Sequence, residues 1–148
     1  MDMKTGAVLA DPLGGVAVGL VIDSDTGRHI LIKDIRSRKN KAKMPGGRIR
    51  NDESPKEAFI REVMEKTGLI LDRTKVIFLF RVLAKDETHY YHVHAALTEG
   101  LGTLRNSPAK KGNNNFHPFV VDRQMPNRGI ICGHKKIYRA AIEAISSS

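Results

Sequence analysis

Between residues 46 and 69 the chain reads GGRIRNDESPKEAFIREVMEKTGL. Two adjacent glycines, Gly46 and Gly47, are followed by Glu53, then Arg61 and Glu62, then Glu65 and Gly68. Carboxylates gathered behind a glycine-rich loop are hard oxygen ligands, of the kind that hold a divalent cation against a phosphate. Glu62 and Glu65 are three apart, which puts them on one helical face. Lys66 breaks the run where a further carboxylate would be expected. Four residues after Glu62, it is spaced for an ion pair with that glutamate, which would occupy a carboxylate that a metal needs.

A helix must carry these residues, and its ends are written in the sequence. Ser54 is a good N-cap, Pro55 suits the first helical position, and Glu57 completes an S-x-x-E capping box. Gly68 is placed to stop the helix, which is therefore predicted over Pro55–Thr67. Phe59 and Val63, with Ile60 and Met64, form an apolar stripe that fixes the helix to a core, and Arg61, Glu62 and Glu65 fall off it. Ahead of the helix, Pro45 fixes one φ while Gly46 and Gly47 let a ligand approach the backbone.

The remaining elements follow from alternation and turn residues. Strands are predicted at 15–22 and 29–35, joined as an antiparallel hairpin, with an edge strand at 7–10 before them. Residues 37–43 are polar and basic without periodicity, a loop. Two more strands, at 75–83 and 89–97, flank a hairpin turn at Lys85, Asp86 and Glu87. A long polar loop at 100–115 precedes a short strand at 116–121, where Pro118 indicates an edge. A helix at 133–145 follows. This order predicts an α/β fold, a mixed sheet with helices on both faces, in one domain over residues 1–148.

Composition narrows the setting. The 41% hydrophobic and 28% charged content is that of a soluble globular protein. The longest apolar run, near 14–22, is too short to span a bilayer, so no membrane association is expected. Lys4 and residues 6–10 resemble the start of a secretory signal, but Asp11 and Pro12 interrupt it. Cys132 is the single cysteine, which excludes an internal disulfide and a CxxC metal site and favours the reducing cytoplasm. The net charge is +9, and Lys33, Arg36, Arg38, Lys39, Lys41, Lys43, Arg48 and Arg50 fall in one stretch leading through the glycines. Such a cluster suits a nucleotide or nucleic-acid ligand.

The stretch resembles the Nudix box, G-x5-E-x7-R-E-U-x-E-E-x-G-U with U a bulky aliphatic residue. Gly47, Glu53, Arg61, Glu62, Val63, Glu65, Gly68 and Leu69 match, and Lys66 replaces a glutamate. The resemblance implies an α/β/α sandwich that hydrolyses a nucleoside diphosphate linked to another moiety, with Mg²⁺ or Mn²⁺. It implies that Glu62 and Glu65 are metal ligands and catalytic groups, aided by a backbone carbonyl of Gly46 or Gly47, and that Glu53 and Arg61 pair to brace the loop. An Arg–carboxylate fork holds such geometry better than lysine could. Lys66 then exchanges a negative for a positive charge beside the site, so cation affinity should fall. The family often adds a later glutamate, yet between Leu101 and Ile142 the only acidic residue is Asp122.

Three readings stay open: a hydrolase with fewer metals, using Lys66 as a phosphate contact; a protein that binds a nucleotide or RNA end without cleaving it; and an interaction module. Lys43, Arg48 and Lys66 are the candidate phosphate contacts, and Tyr91 a candidate for stacking on a base. His92 and His94, two apart on one strand, share a face and could meet a metal or substrate. His117 and His134 have no partner at a recognisable spacing, and Cys132 is expected to be a buried structural thiol. Neither the substrate's base nor the oligomeric state is legible.

Overall fold

A computed structural model describes residues 15–101 and 115–146. The predicted edge strand at 7–10 and most of the 100–115 loop lie outside the described residues. Seven strands form one sheet among the described residues: β1 Val16–Asp23, β2 His29–Asp34, β3 Ala42–Lys43, β4 Gly46–Arg48, β5 Val76–Leu83, β6 Tyr90–Thr98 and β7 Phe116–Val121. Two helices, α1 Pro55–Thr67 and α2 Lys135–Ser146, pack on them.

β1 lies in the interior of the sheet. It runs parallel to β6, from Val16 opposite Tyr91 to Asp23 opposite Thr98, and antiparallel to β2 and β4. Its sequence VAVGLVI is apolar throughout because both faces are covered. Alternate residues go to opposite layers. Ala17 and Val21 pack with Ala58, Phe59 and Val63 of α1, whereas Val18 and Leu20 pack with Ile137, Tyr138 and Ala141 of α2. The result is the α/β/α sandwich with a mixed sheet.

α1 has the predicted bounds and caps. The Ser54 hydroxyl accepts from the Glu57 amide, the Glu57 carboxylate accepts from the Ser54 amide, and Gly68 closes the helix at φ 81°. Phe59 and Val63 are fully buried, which contributes about 1.5–3 kcal/mol each and fixes the helix rotation. Around that face the chain departs from the expected pattern. Glu62, off the apolar stripe, is buried as well, with 9% of its surface exposed.

The basic segment expected to be all loop ends in β3, where Ala42 and Lys43 pair with Lys33 and Ile32 of β2. Tertiary pairing supplies a ladder that two residues cannot specify alone. Ile130 bridges to Ala42 from the other side. β7 pairs with β2 over its whole length, Pro118 opposite Ile32. A 3₁₀ turn, Cys132–His134, takes the first residues expected of the last helix. Cys132 there is exposed, not buried: the turn points it outward and buries His134 instead. No helix among the described residues is long and apolar enough to cross a membrane.

Candidate functional site

β4 and α1 make the site because two glycines let them touch. Gly46 has φ 154°, and a Cβ there would lie 2.1 Å from the Ala17 carbonyl oxygen. A Cβ on Gly47 would lie 2.3 Å from the carboxyl carbon of Glu62. A side chain at either position would push the strand off β1 or push Glu62 off the strand. The glycine pair thus serves close packing of a carboxylate against backbone.

Arg61 organises the acidic residues. Its Nε donates to Glu53 Oε2 at 2.5 Å and its Nη2 to Glu53 Oε1 at 2.9 Å, a two-pronged fork. Nη2 also donates to the Arg48 carbonyl at 3.0 Å, and Nη1 stands 3.2 Å from both Glu62 Oε2 and Glu65 Oε1. One planar guanidinium therefore ties the loop before α1 to three carboxylates, a task lysine's single ammonium could not perform. The hydrogen bond from Arg61 holds the Glu53 carboxyl below its ordinary range, and Glu53 in turn raises Arg61.

Lys66 meets Glu62 from the other side. Its ammonium is 3.5 Å from Glu62 Oε1 and donates a short hydrogen bond to the Gly46 carbonyl. The side chains of Lys66 and Glu62 are only 13% and 12% exposed. The lysine thus sits between the carbonyl and the carboxylate that a cation at this helix would share. Arg50 approaches Glu65 Oε2 at 3.8 Å. Three glutamates, Glu53, Glu62 and Glu65, are matched by three cations, Arg61, Lys66 and Arg50. A divalent ion finds no surplus negative charge in this set, and it would have to displace Lys66 from Gly46. As arranged, the chain's donors do not fit a resident metal at that seat. Among the described residues no group of three or more His, Cys, Asp or Glu side chains could hold one elsewhere.

A second cluster adjoins this seat. The Lys66 ammonium lies 4.6 Å from the centroid of the Phe116 ring, Lys43 lies 5.1 Å away and the Arg36 guanidinium 5.6 Å. Cations collect on an aromatic face because the ring quadrupole is negative there. Burial pushes the Lys43 ammonium below its usual pKa, and Lys66 lowers it further. His134 is 7% exposed and its Nδ1 has no hydrogen-bond partner. Burial, then the charges of Lys43 and Lys66, lower its pKa to about 3, so it stays neutral.

Glu53, Arg61, Glu62, Glu65, Lys66, Gly46 and Gly47 are thus brought together, and Lys43 joins them over Phe116. Arg48 contributes its carbonyl to Arg61 and leaves its side chain exposed. The Tyr91 ring lies 5.0 Å from His89 and 5.7 Å from His134. His94 is not free to bind a metal or substrate. It is 1% exposed, stacks on Phe59 at 5.2 Å, meets Phe78 edge-on and donates from Nδ1 to the His92 carbonyl. Phe116 belongs to no motif of the sequence, and only the fold brings it under Lys66, across 50 residues. His134, which has no partner at a recognisable spacing, turns out to be buried.

The site thus belongs to an α/β/α sandwich whose capped helix lays Glu62 against a glycine strand. The NUDIX domain model matches residues 14–119, and the chain belongs to that family. Among solved structures, the pyrophosphohydrolase BsRppH of Bacillus subtilis is similar at TM-score 0.70 and 16% identity, over 99% of this chain and 88% of that one. MutT, from a study of the Aliivibrio salmonicida and Vibrio cholerae proteins, is similar at 0.62 and 15%, over 87% and 95%. A nudix hydrolase family member from Chromobacterium violaceum is similar at 0.63 and 18%, over 88% and 78%. At these identities the likeness establishes the fold. No curated protein matches the sequence.

Proposed function

We propose that the protein hydrolyses the diphosphate linkage of a nucleoside diphosphate joined to another moiety. The observation that carries this reading is the pair Glu62 and Glu65, held by Arg61 against the Gly46–Arg48 strand. Family membership supports the reaction class, and the solved neighbours include a pyrophosphohydrolase. The substrate's phosphate oxygens meet Lys66 and Lys43, which offset the charge that repels water. Glu62 and Glu65 orient the attacking water, Arg61 and Glu53 keep the helix and loop in register, and Tyr91 is the candidate for contact with the base. Nudix hydrolases generally use divalent metals. Mg²⁺ or Mn²⁺ would come here as the counter-ion of the diphosphate, and no residue role given above depends on it. The single cysteine, exposed on its turn, favours a reducing cytoplasm.

The test is release of phosphate or nucleoside monophosphate from nucleoside diphosphate sugars, dinucleotides, oxidised nucleoside triphosphates and capped RNA, with Mg²⁺ and with Mn²⁺. Turnover of at least one class, lost in Glu62→Gln with the fold intact, is expected. Turnover that survives Glu62→Gln would sink this assignment of the helix. A second reading, binding of a nucleotide or RNA end without cleavage, is favoured by the Lys66 ammonium on the Gly46 carbonyl. Saturable binding of one of these compounds with no product would select it. Neither binding nor turnover would overturn both and leave an interaction module.

A further inference from the structure

We propose that the Lys66 ammonium is a tethered cation filling the seat between the Gly46 carbonyl and the Glu62 carboxylate, and that with Lys43 it binds a diphosphate group without a divalent ion. The inference rests on the diphosphate reading of this site but not on cleavage.

The seat comes first. Lys66 donates to the Gly46 carbonyl and stands 3.5 Å from Glu62 Oε1, while Arg61 takes Glu62 Oε2 at 3.2 Å. Both oxygens of Glu62 are therefore engaged by fixed positive groups. Gly47 keeps them there, since the carboxylate lies within contact of where its Cβ would be. Moving Lys66 out would strip its ammonium, on a side chain only 13% exposed, from its carbonyl and carboxylate. Breaking that buried pair sets a penalty against any metal that enters.

The surplus charge comes second. Glu53, Glu62 and Glu65 are already matched, so Lys43 adds positive charge beyond them. Asp34, the carboxylate nearest the cluster from β2, is held by Arg36 through two hydrogen bonds of 2.9 Å. The two ammoniums, both over the Phe116 ring, supply charge and donors suited to phosphate oxygens, which accept several charge-assisted hydrogen bonds at once. No covalent step is involved.

Isothermal titration of the full chain with inorganic pyrophosphate, and with ADP as a nucleoside diphosphate, tests this in EDTA and in Mn²⁺. Pyrophosphate is expected to bind the unaltered protein in EDTA. Lys66→Met should weaken that binding about tenfold or more, as loss of one charge-assisted contact does. Lys66→Glu should abolish it and make binding depend on Mn²⁺. Binding by the unaltered protein only when Mn²⁺ is present would overturn the inference, as would equal affinity in Lys66→Met. Thermal melting monitors folding. If Lys66→Met does not fold, Lys43→Met takes its place, with the same expected loss in EDTA, and an unchanged affinity refutes the proposal. Turnover in Mg²⁺ without binding in EDTA would overturn this inference and leave the hydrolase reading standing. Binding in EDTA with no turnover would do the reverse.

Discussion

Replacing Arg61 with methionine should unfold the site before it affects anything else. Methionine keeps most of the apolar stem and removes the guanidinium. Five contacts go at once: two to Glu53, one to the Arg48 carbonyl, and one each to Glu62 and Glu65. Glu53 and Glu62 side chains are 13% and 12% exposed, so water cannot replace the lost donors fully. Removing one partner of a buried ion pair costs about 3–5 kcal/mol. Glu62 keeps Lys66 and Glu65 keeps Arg50, which places the loss toward the lower end. For a chain of 148 residues this corresponds to a fall in Tm of about 10 °C. Urea unfolding of Arg61→Met, Glu53→Gln and the double variant supplies the number. The double variant should recover part of the loss, because the neutral amide that replaces the Glu53 carboxylate needs no cation. A change below about 1 kcal/mol in Arg61→Met would mean that the carboxylates are solvated, and the brace would be refuted.

Two further outcomes follow from the same geometry. Gly47→Ala places a methyl group 2.3 Å from the Glu62 carboxyl carbon, so a loss of roughly 1–3 kcal/mol in denaturant titration is expected, and an unchanged midpoint would show that Glu62 does not pack on the strand. His29 and His94 have pKa values lowered to about 4 by burial, and His134 to about 3. Depressed values mean that the unfolded chain binds the extra protons, so stability is full above pH 6.5 and falls as pH drops toward 4. Denaturant midpoints measured from pH 7 to 5 should decline with the uptake of up to three protons, and His94→Leu should remove about one of them. A flat profile would contradict the burial of these rings.

The helix was the most legible element, because its signals are local. Ser54, Pro55, Glu57 and Gly68 each act within one turn of a helix end, and all four act as their residue types dictate. β1, β2, β5, β6 and β7 were legible from apolar runs bounded by turn residues. β3 and β4 were not, being two and three residues long and defined only by pairing with β2 and β1. The Glu62–Lys66 pair was readable from its spacing of four. That Lys66 also reaches the Gly46 carbonyl was not, since 20 residues and the strand–helix packing separate them. The burial of Glu62 contradicts simple amphipathicity for a comparable reason: Gly47 leaves a hollow beside the stripe, and the carboxylate fills it. His94 read as a candidate ligand because alternation says which residues share a face, not whether that face is covered. Here it is covered by Phe59 of α1.

A lysine ammonium, not a metal ion, occupies the seat formed by the Gly46 carbonyl and Glu62. Anomalous diffraction from crystals of the unaltered protein and of Lys66→Glu, each soaked in Mn²⁺, distinguishes the two occupants. No manganese peak is expected at the Gly46 carbonyl in the unaltered protein, and one is expected there in Lys66→Glu. A peak beside Gly46 and Glu62 in the unaltered protein, with Lys66 swung aside, would show that the seat belongs to a metal.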